Sequence, residues 1–358
     1  MADVGKLEFG IAWDGEMVRD ATITSTRPRA DRVLEGRTAQ EAVKLVSLLF
    51  SVCGKAQSAA AEAAMAVAQG REPTQTHSRA VACEAMQEHL WRLLLDWPAL
   101  LGLPKRQEIF VRLHGALNAI AAGAGDTRAL SDELHRTLTG MTSEEWARLD
   151  SYAALIEWSQ GNHGSCAPVV AALDALESVL SQGDAIETCD LLPEWSTTEL
   201  DRFRFDAQPH WGGRPMETGA LAYWQHEPLL RDILRQRQSR LLARLVARVH
   251  DLLDSANNLA RERTAQRIQC FALEANAGLG LVRTARGMLL HYTRIERGHI
   301  AQCCIVAPTE WNFHPRGAWR AGLMNLRERD AARVMEIARR VTLSLDPCAE
   351  YTIKMRHA

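Results

Sequence analysis

From Gly54 to about Gln69 the chain runs Gly-Lys-Ala-Gln-Ser-Ala-Ala-Ala-Glu-Ala-Ala-Met-Ala-Val-Ala-Gln, a stretch dominated by alanine. Alanine is the best intrinsic helix former and has no side chain beyond Cβ. Such a helix lets its neighbours approach closely, which suits a buried position. The stretch 39–52 before it is apolar on one face, and Gly54 interrupts the two. Helical spacing recurs at about 77–99, 107–123, 128–137, 143–160 and 167–182, punctuated by Pro98, Pro104 and Gly123–Asp126. A long amphipathic helix is expected from about Glu227 to Asn258, and a last one at about 327–342.

Extended segments lie towards the two ends. Residues 7–13 and the segment after Asp14-Gly15 read as a β-hairpin closed by an Asp-Gly turn. Ile268–Ala275, Gly278–Arg283 and Gly287–Arg294 also look extended, with Gly278 and Gly280 as turn material. Residues 299–307 form another short apolar run, and 184–227 is loop-rich, with Pro193, Pro209, Gly212, Gly213 and Pro215. The expected fold is α+β, mainly α with small β elements around a helical-bundle core. One domain spans 1–358, with a hairpin at 1–27, a helical body at 38–265 and a mixed β/α part at 266–358.

Composition excludes several classes. A formal net charge of -2 gives no global basic field for nucleic acid. No apolar run reaches membrane-spanning length. The N-terminus lacks a basic-then-apolar export signal, so the expected compartment is the cytoplasm. The eight cysteines show no regular spacing and no C-x-x-C, and most read as small buried hydrophobes.

Four short features could carry chemistry, and each alone is also readable as structure. Cys53-Gly54 sits at a helix break, where a buried thiol is the favoured reading of a lone cysteine. Asp346-Pro347-Cys348 holds a thiol on a segment stiffened by proline, or merely caps a chain end. Ala285-Arg286-Gly287 pairs a fork of N–H donors with a residue that lets backbone approach closely, or is a surface turn. Pro308-Thr309-Glu310-Trp311-Asn312 is dense in proline, tryptophan and hydroxyl, or is a packed loop. In the run Cys303-Cys304 alternate side chains point opposite ways, and core packing is favoured over chelation.

In this order the four resemble the nickel–iron hydrogenase large subunit. That family has C-G-x-C near its N-terminus, A-P-R-G followed by a His, P-[ST]-T-W-N, and D-P-C-x-x-C at its C-terminus. Cys53-Gly54, Ala285-Arg286-Gly287 with His291, Pro308–Asn312 and Asp346-Pro347-Cys348 match in sequence order. Residues from about 130 to 225 carry no match. The departures are as informative. The family's metal-bridging cysteines fall on Ala56 and Tyr351, its histidines after each pair on Ala60 and Lys354, and its early E-G-H glutamate has no counterpart. Four residues follow Lys354, with no long tail of the kind the family's precursors lose.

The pattern is similar to the HupK (HoxV) family of hydrogenase maturation proteins. The resemblance implies a non-catalytic scaffold, with Cys53 and Cys348 binding the iron of an Fe(CN)2(CO) unit and no nickel. Arg286 and Thr309, with Pro308, would line the cyanides, since charge-assisted donors suit an anionic acceptor and soft thiolates suit low-valent iron. His291 is expected to make a structural hydrogen bond, His314 could line the pocket, and Trp311 and Asn312 support it. Implied partners are a HypC-like chaperone, a HypD-type iron–sulfur protein and the hydrogenase large subunit precursor. Two rivals stand: a metal-free adaptor that recruits those partners, and a divergent hydrogen-binding enzyme or sensor.

Overall fold

A computed structural model describes residues 5–50, 52–74, 77–161, 163–180, 188–194, 203–204, 208–237, 239–263 and 267–358. The chain divides into two compact units. One comprises Met1–Val81, Glu187–Gly219 and Ala265–Ala358, the other Ala82–Ile186 and Ala220–Thr264.

Among the described residues the first unit holds two main sheets, besides two pairs of two-residue strands. In the smaller, β1 (Leu7–Trp13) pairs antiparallel with β2 (Val18–Ser25), joined through Asp14-Gly15 as expected. Asp14 accepts the backbone N–H groups of Glu16 and Met17, and Gly15 takes φ +97, which only glycine adopts readily. On its other edge β1 pairs in parallel with β7 (Tyr351–His357), Leu7 opposite Tyr351. The hairpin is therefore two strands of a three-stranded sheet completed by the C-terminus. Phe9 in β1 stacks on Trp319 at 4.5 Å and tilts against Phe313 at 5.3 Å.

The larger sheet is fully antiparallel, in the order β6 (His299–Val306), β5 (Gly287–Glu296), β4 (Ala277–Thr284), β3 (Ile268–Ala272). Against it lies α2 (Gly54–Ala68), with α1 (Ala39–Leu49) packed alongside. Thr38 caps α1 reciprocally with Glu41.

The alanine run behaves as its composition demands. One face of α2 (Ala61, Met65, Ala68) packs with Val46 of α1, Ile295, Ile300 and Cys303. Another (Ala56, Ala59, Ala60) packs with Val282, Leu289 and Ala307. Gly278 and Gly280 are not turn residues. They lie inside β4, and a Cβ there would stand 2.1 Å from the Ala64 and Ala60 carbonyl oxygens. Helix and strand backbones touch there, which needs glycine on one side and alanine on the other.

The second unit is helical. Its helices include Gln107–Ala121, Thr127–Thr139, Tyr152–Gln160 and Ala167–Leu180. The helix expected over Glu227–Asn258 is two, Pro228–Gln236 and Leu241–Ala260, with Arg237 in extended conformation between them. Periodicity continues across this break because both pieces are amphipathic and no glycine or proline marks it. The Glu177 carboxylate, fully buried, accepts the Leu242 N–H and anchors the second piece at its start. Burial pushes the Glu177 carboxyl up to about 7, against the pull of the donors around Ser239 and Leu242.

The last helix is Ala331–Leu345, a few residues later than expected. Of the loop-rich stretch 184–227, residues 184–187, 195–202 and 205–207 lie outside the described residues, and the remainder includes only two-residue strands and the short helix Ala220–Trp224. No helix among the described residues is long and apolar enough to cross a membrane.

Candidate functional site

All the motif residues belong to the first unit. Cys53 is the residue before α2, and its carbonyl accepts the Gln57 N–H at 2.9 Å. Cys348 lies between the helix Ala331–Leu345 and β7, so two unrelated elements present the two thiols. Five of the eight cysteines are buried, whereas Cys53 and Cys348, with Cys270, are partly open. Cys303 faces the core under α1 and α2, and burial pushes its thiol up to about 12. Its neighbour Cys304 points the other way, into a cleft wall, as strand alternation requires.

Three short segments converge at Cys348. The Thr309 hydroxyl is 2.9 Å from the Cys348 sulfur. Thr309 belongs to the single-turn helix Pro308–Asn312, which Pro308 opens at a position where its missing N–H costs nothing. Two residues before Cys348, Asp346 takes φ +57 and ends the preceding helix, its N–H bonded to the Thr342 carbonyl. Its carboxylate is 3.3 Å from Arg286 Nε, and both side chains are buried. Arg286 thus lies beside the Asp-Pro-Cys segment while Thr309 touches the thiol itself.

Asn312 ties these pieces together. Its side-chain amide donates to the Arg286 and Leu345 carbonyls and accepts the Thr218 N–H. Thr218 Oγ1 accepts the Met288 N–H, and Thr284 Oγ1 accepts both the Arg286 and Gly287 N–H groups. Gly287 at φ +135 lets the strand pass Thr218, whose methyl would stand 2.3 Å from a Cβ. The Arg-Gly pair therefore marks a close backbone approach and not an exposed turn.

Arg27, just beyond β2, carries no motif and was not legible in the sequence. Its guanidinium bonds the Glu310 carboxylate at 2.8 Å. Burial works against the Arg27 charge, but the Glu310 carboxylate, and then the Cys348 and Cys53 sulfurs as thiolates, hold its pKa above the ordinary value. Burial pushes the Glu310 carboxyl up, while Arg27 and the Ala307 N–H pull it back. Arg27, Thr309, Glu310, Phe50, Cys304 and His314 line a cleft of about 340 Å³. Cys53, Cys348 and Arg286 are not part of its wall.

His291 is fully buried, and burial pushes its imidazole down to about 3, so it is neutral. Its Nε2 lies 2.7 Å from the Gln57 Oε1, the hydrogen bond expected of it. Trp311 and Asn312 are buried supports.

The positions where the resemblance implies bridging thiols, Ala56 and Tyr351, and histidines, Ala60 and Lys354, serve other ends here. Ala56 is 1% exposed within the α2 core, and Ala60 is 0% exposed against the Gly280 backbone. Tyr351 opens β7, 39% exposed, with its ring edge-on to Phe9 at 5.8 Å. The Lys354 ammonium is exposed on the same strand, 3.9 Å from Glu8. No group of three or more potential His, Cys, Asp or Glu ligands occurs among the described residues.

The nickel-dependent hydrogenase family matches residues 225–353, the part that carries Arg286, Thr309 and Cys348. A crystal structure of a reduced, active Ni–Fe–Se hydrogenase from Desulfomicrobium baculatum aligns with a TM-score of 0.60 over 95% of each chain. At 15% identity this is a likeness of fold alone, and it establishes the α+β architecture as that of the hydrogenase large subunit. Over its whole length the chain is similar to hydrogenase expression/formation proteins. HupK of Azotobacter vinelandii is 29% identical over 99% of both chains. HupK of Rhizobium leguminosarum bv. viciae is 30% identical over 99% of this chain and 97% of its own. On this full-length similarity, 30% identical to one such protein, the chain belongs to the HupK/HoxV family of hydrogenase expression/formation proteins.

Proposed function

We propose that this protein is a non-catalytic scaffold of nickel–iron hydrogenase maturation that holds an Fe(CN)2(CO) fragment between Cys53 and Cys348. The observation that carries the reading is the contact of Thr309 Oγ1 with the Cys348 sulfur at 2.9 Å, beside the Arg286–Asp346 pair. A hydroxyl and a guanidinium next to a thiolate suit an iron whose remaining ligands are cyanides. Arg286, Thr309 and Pro308 form the cyanide side of the site, and Arg27 supplies positive charge near both sulfurs.

The chemistry asked of two thiolates is retention followed by release. Four thiolates would bind nickel and iron together. With Ala56 committed to the core and Tyr351 to the sheet, no nickel is expected and the hold on iron is weaker. We assign the protein to the cytoplasm, where the fragment would come from a HypC-like chaperone and a HypD-type iron–sulfur protein and pass to the hydrogenase large subunit precursor.

Metal analysis of protein purified without oxygen from cells that express this machinery tests the proposal. The expected result is iron without nickel, lost in Cys53→Ala and in Cys348→Ala. Stoichiometric nickel would favour the enzyme or sensor reading. Iron-free wild type that still binds the partners would favour the adaptor.

A further inference from the structure

Thr309 accounts for one thiol, and the other has its own side-chain neighbour. The Gln57 Nε2 is 3.7 Å from the Cys53 sulfur, within reach of a hydrogen bond to sulfur. Gln57 lies one turn into α2, directly after Ala56, and is 0% exposed. A buried amide without partners costs stability, and an apolar side chain would pack there without that cost.

The amide has two unlike ends, and the protonation of His291 Nε2 decides which of them it faces. The imidazole is neutral, and we take the tautomer that carries its proton on Nε2, the nitrogen facing Gln57, with Nδ1 as a lone pair. With Nε2 as donor, its only complement on the amide is Oε1, which stands 2.7 Å away. The NH2 end is then directed at Cys53. Reversing the amide would set NH2 against an N–H and turn a carbonyl oxygen towards a thiolate. His291 is itself fixed in β5, in the middle of the four-stranded sheet.

We propose, on the two-thiolate reading above, that Gln57 is the positioning residue for Cys53: held by His291, it donates an N–H to the sulfur and aims the thiolate at the iron fragment. Each sulfur then has a side-chain donor beside it, a hydroxyl at Cys348 and an amide at Cys53. A donor on a thiolate draws electron density from it, so less reaches the metal. Neither Gln57 nor its link to His291 follows from the four motifs.

The test uses two readouts on the full chain. In iron-loaded protein, Gln57→Leu and His291→Leu should shift the carbonyl and cyanide infrared bands to lower wavenumber, because the undamped sulfur donates more to iron. His291→Gln keeps an N–H donor for Oε1 and should restore the bands towards wild type. In iron-free protein, alkylation by iodoacetamide at one pH, read by peptide mass spectrometry, should slow severalfold at Cys53 in both leucine variants. Cys348 in the same sample should keep its rate. Thermal melts establish that each variant is folded, and the His291 pair leaves α2 untouched should Gln57→Leu fail to fold. Unchanged bands, or an unchanged Cys53 rate in folded leucine variants, would overturn the proposal. If wild type carries no such bands, the iron reading falls, and the iron-free arm still decides whether Gln57 positions Cys53.

Discussion

The surroundings of Cys53 and Cys348 solve the same problem in opposite ways. Cys53 stands at the start of a helix whose next turns are sunk in an alanine–glycine interface, and the buried Gln57 amide lies beside its sulfur. Cys348 stands between a helix and a sheet edge, among side chains that carry charge or hydroxyl, and Tyr351 beyond it is partly exposed. The position that would bear a bridging thiol is filled by close packing at one end and by an aromatic contact near the surface at the other. The lesson is that the two absent thiols are not equivalent. Restoring one disturbs a core, and restoring the other disturbs a sheet edge.

The largest effect should come from the polar end. Arg286→Leu leaves the Asp346 carboxylate buried without its guanidinium, and breaking a buried pair from one side costs about 3–5 kcal/mol. A urea melt should show that loss, and a cost under about 1 kcal/mol would mean that Asp346 is held by other groups. Next comes the packed end. Gly280→Ala drives a Cβ onto the Ala60 carbonyl, a backbone atom that cannot rotate away. Overpacking of this kind costs about 1–3 kcal/mol and sometimes more, read by the same melt.

The comparison is sharpest in the restored thiols. Ala56→Cys adds a sulfur to a filled core and should cost about 1–3 kcal/mol. Tyr351→Cys gives up an edge contact with Phe9 and should cost about 0.5–1.5 kcal/mol. Equal costs would erase the distinction between the ends. The double variant, if loaded, should release iron to a chelator more slowly than wild type, and an unchanged rate would argue that the missing bridges do not tune release.

A separate effect is spread along the acid limb of stability. His291 has its folded pKa at about 3, below the ordinary value. Above about pH 6.5 neither state binds the proton, and the imidazole adds no pH dependence. As pH falls below that value the unfolded chain protonates and the native one does not, so stability drops by up to about 1.4 kcal/mol per unit until the folded pKa is reached. His291→Gln should flatten that slope in urea melts between pH 6.5 and 4.5, and an unchanged slope would place the acid sensitivity elsewhere.

The same contrast explains how much could be seen in the sequence. Alanine periodicity announced α2, and Asp14-Gly15 announced the hairpin, because each is a local property. Motif order brought Arg286, Thr309 and Cys348 together before any coordinates. β7 was not foreseen although Tyr351–His357 alternates apolar and polar residues, since it is largely exposed and gains its place only by pairing in parallel with a strand at the far end of the chain. Gly278 and Gly280 were misread as turns because a demand made by a distant helix looks locally like a break. Arg27 and Gln57 were missed for one reason: a single polar residue beside a hairpin or within an alanine run gains meaning only from a partner remote in sequence, Glu310 for the first and His291 for the second.

Both ends matter only if they hold one cargo together. Anaerobic infrared spectroscopy of protein produced alongside the maturation machinery reads this directly. Wild type should show carbonyl and cyanide stretches, and Cys53→Ala and Cys348→Ala should each lose them. Bands that survive in both single variants would contradict a fragment held between the two thiols.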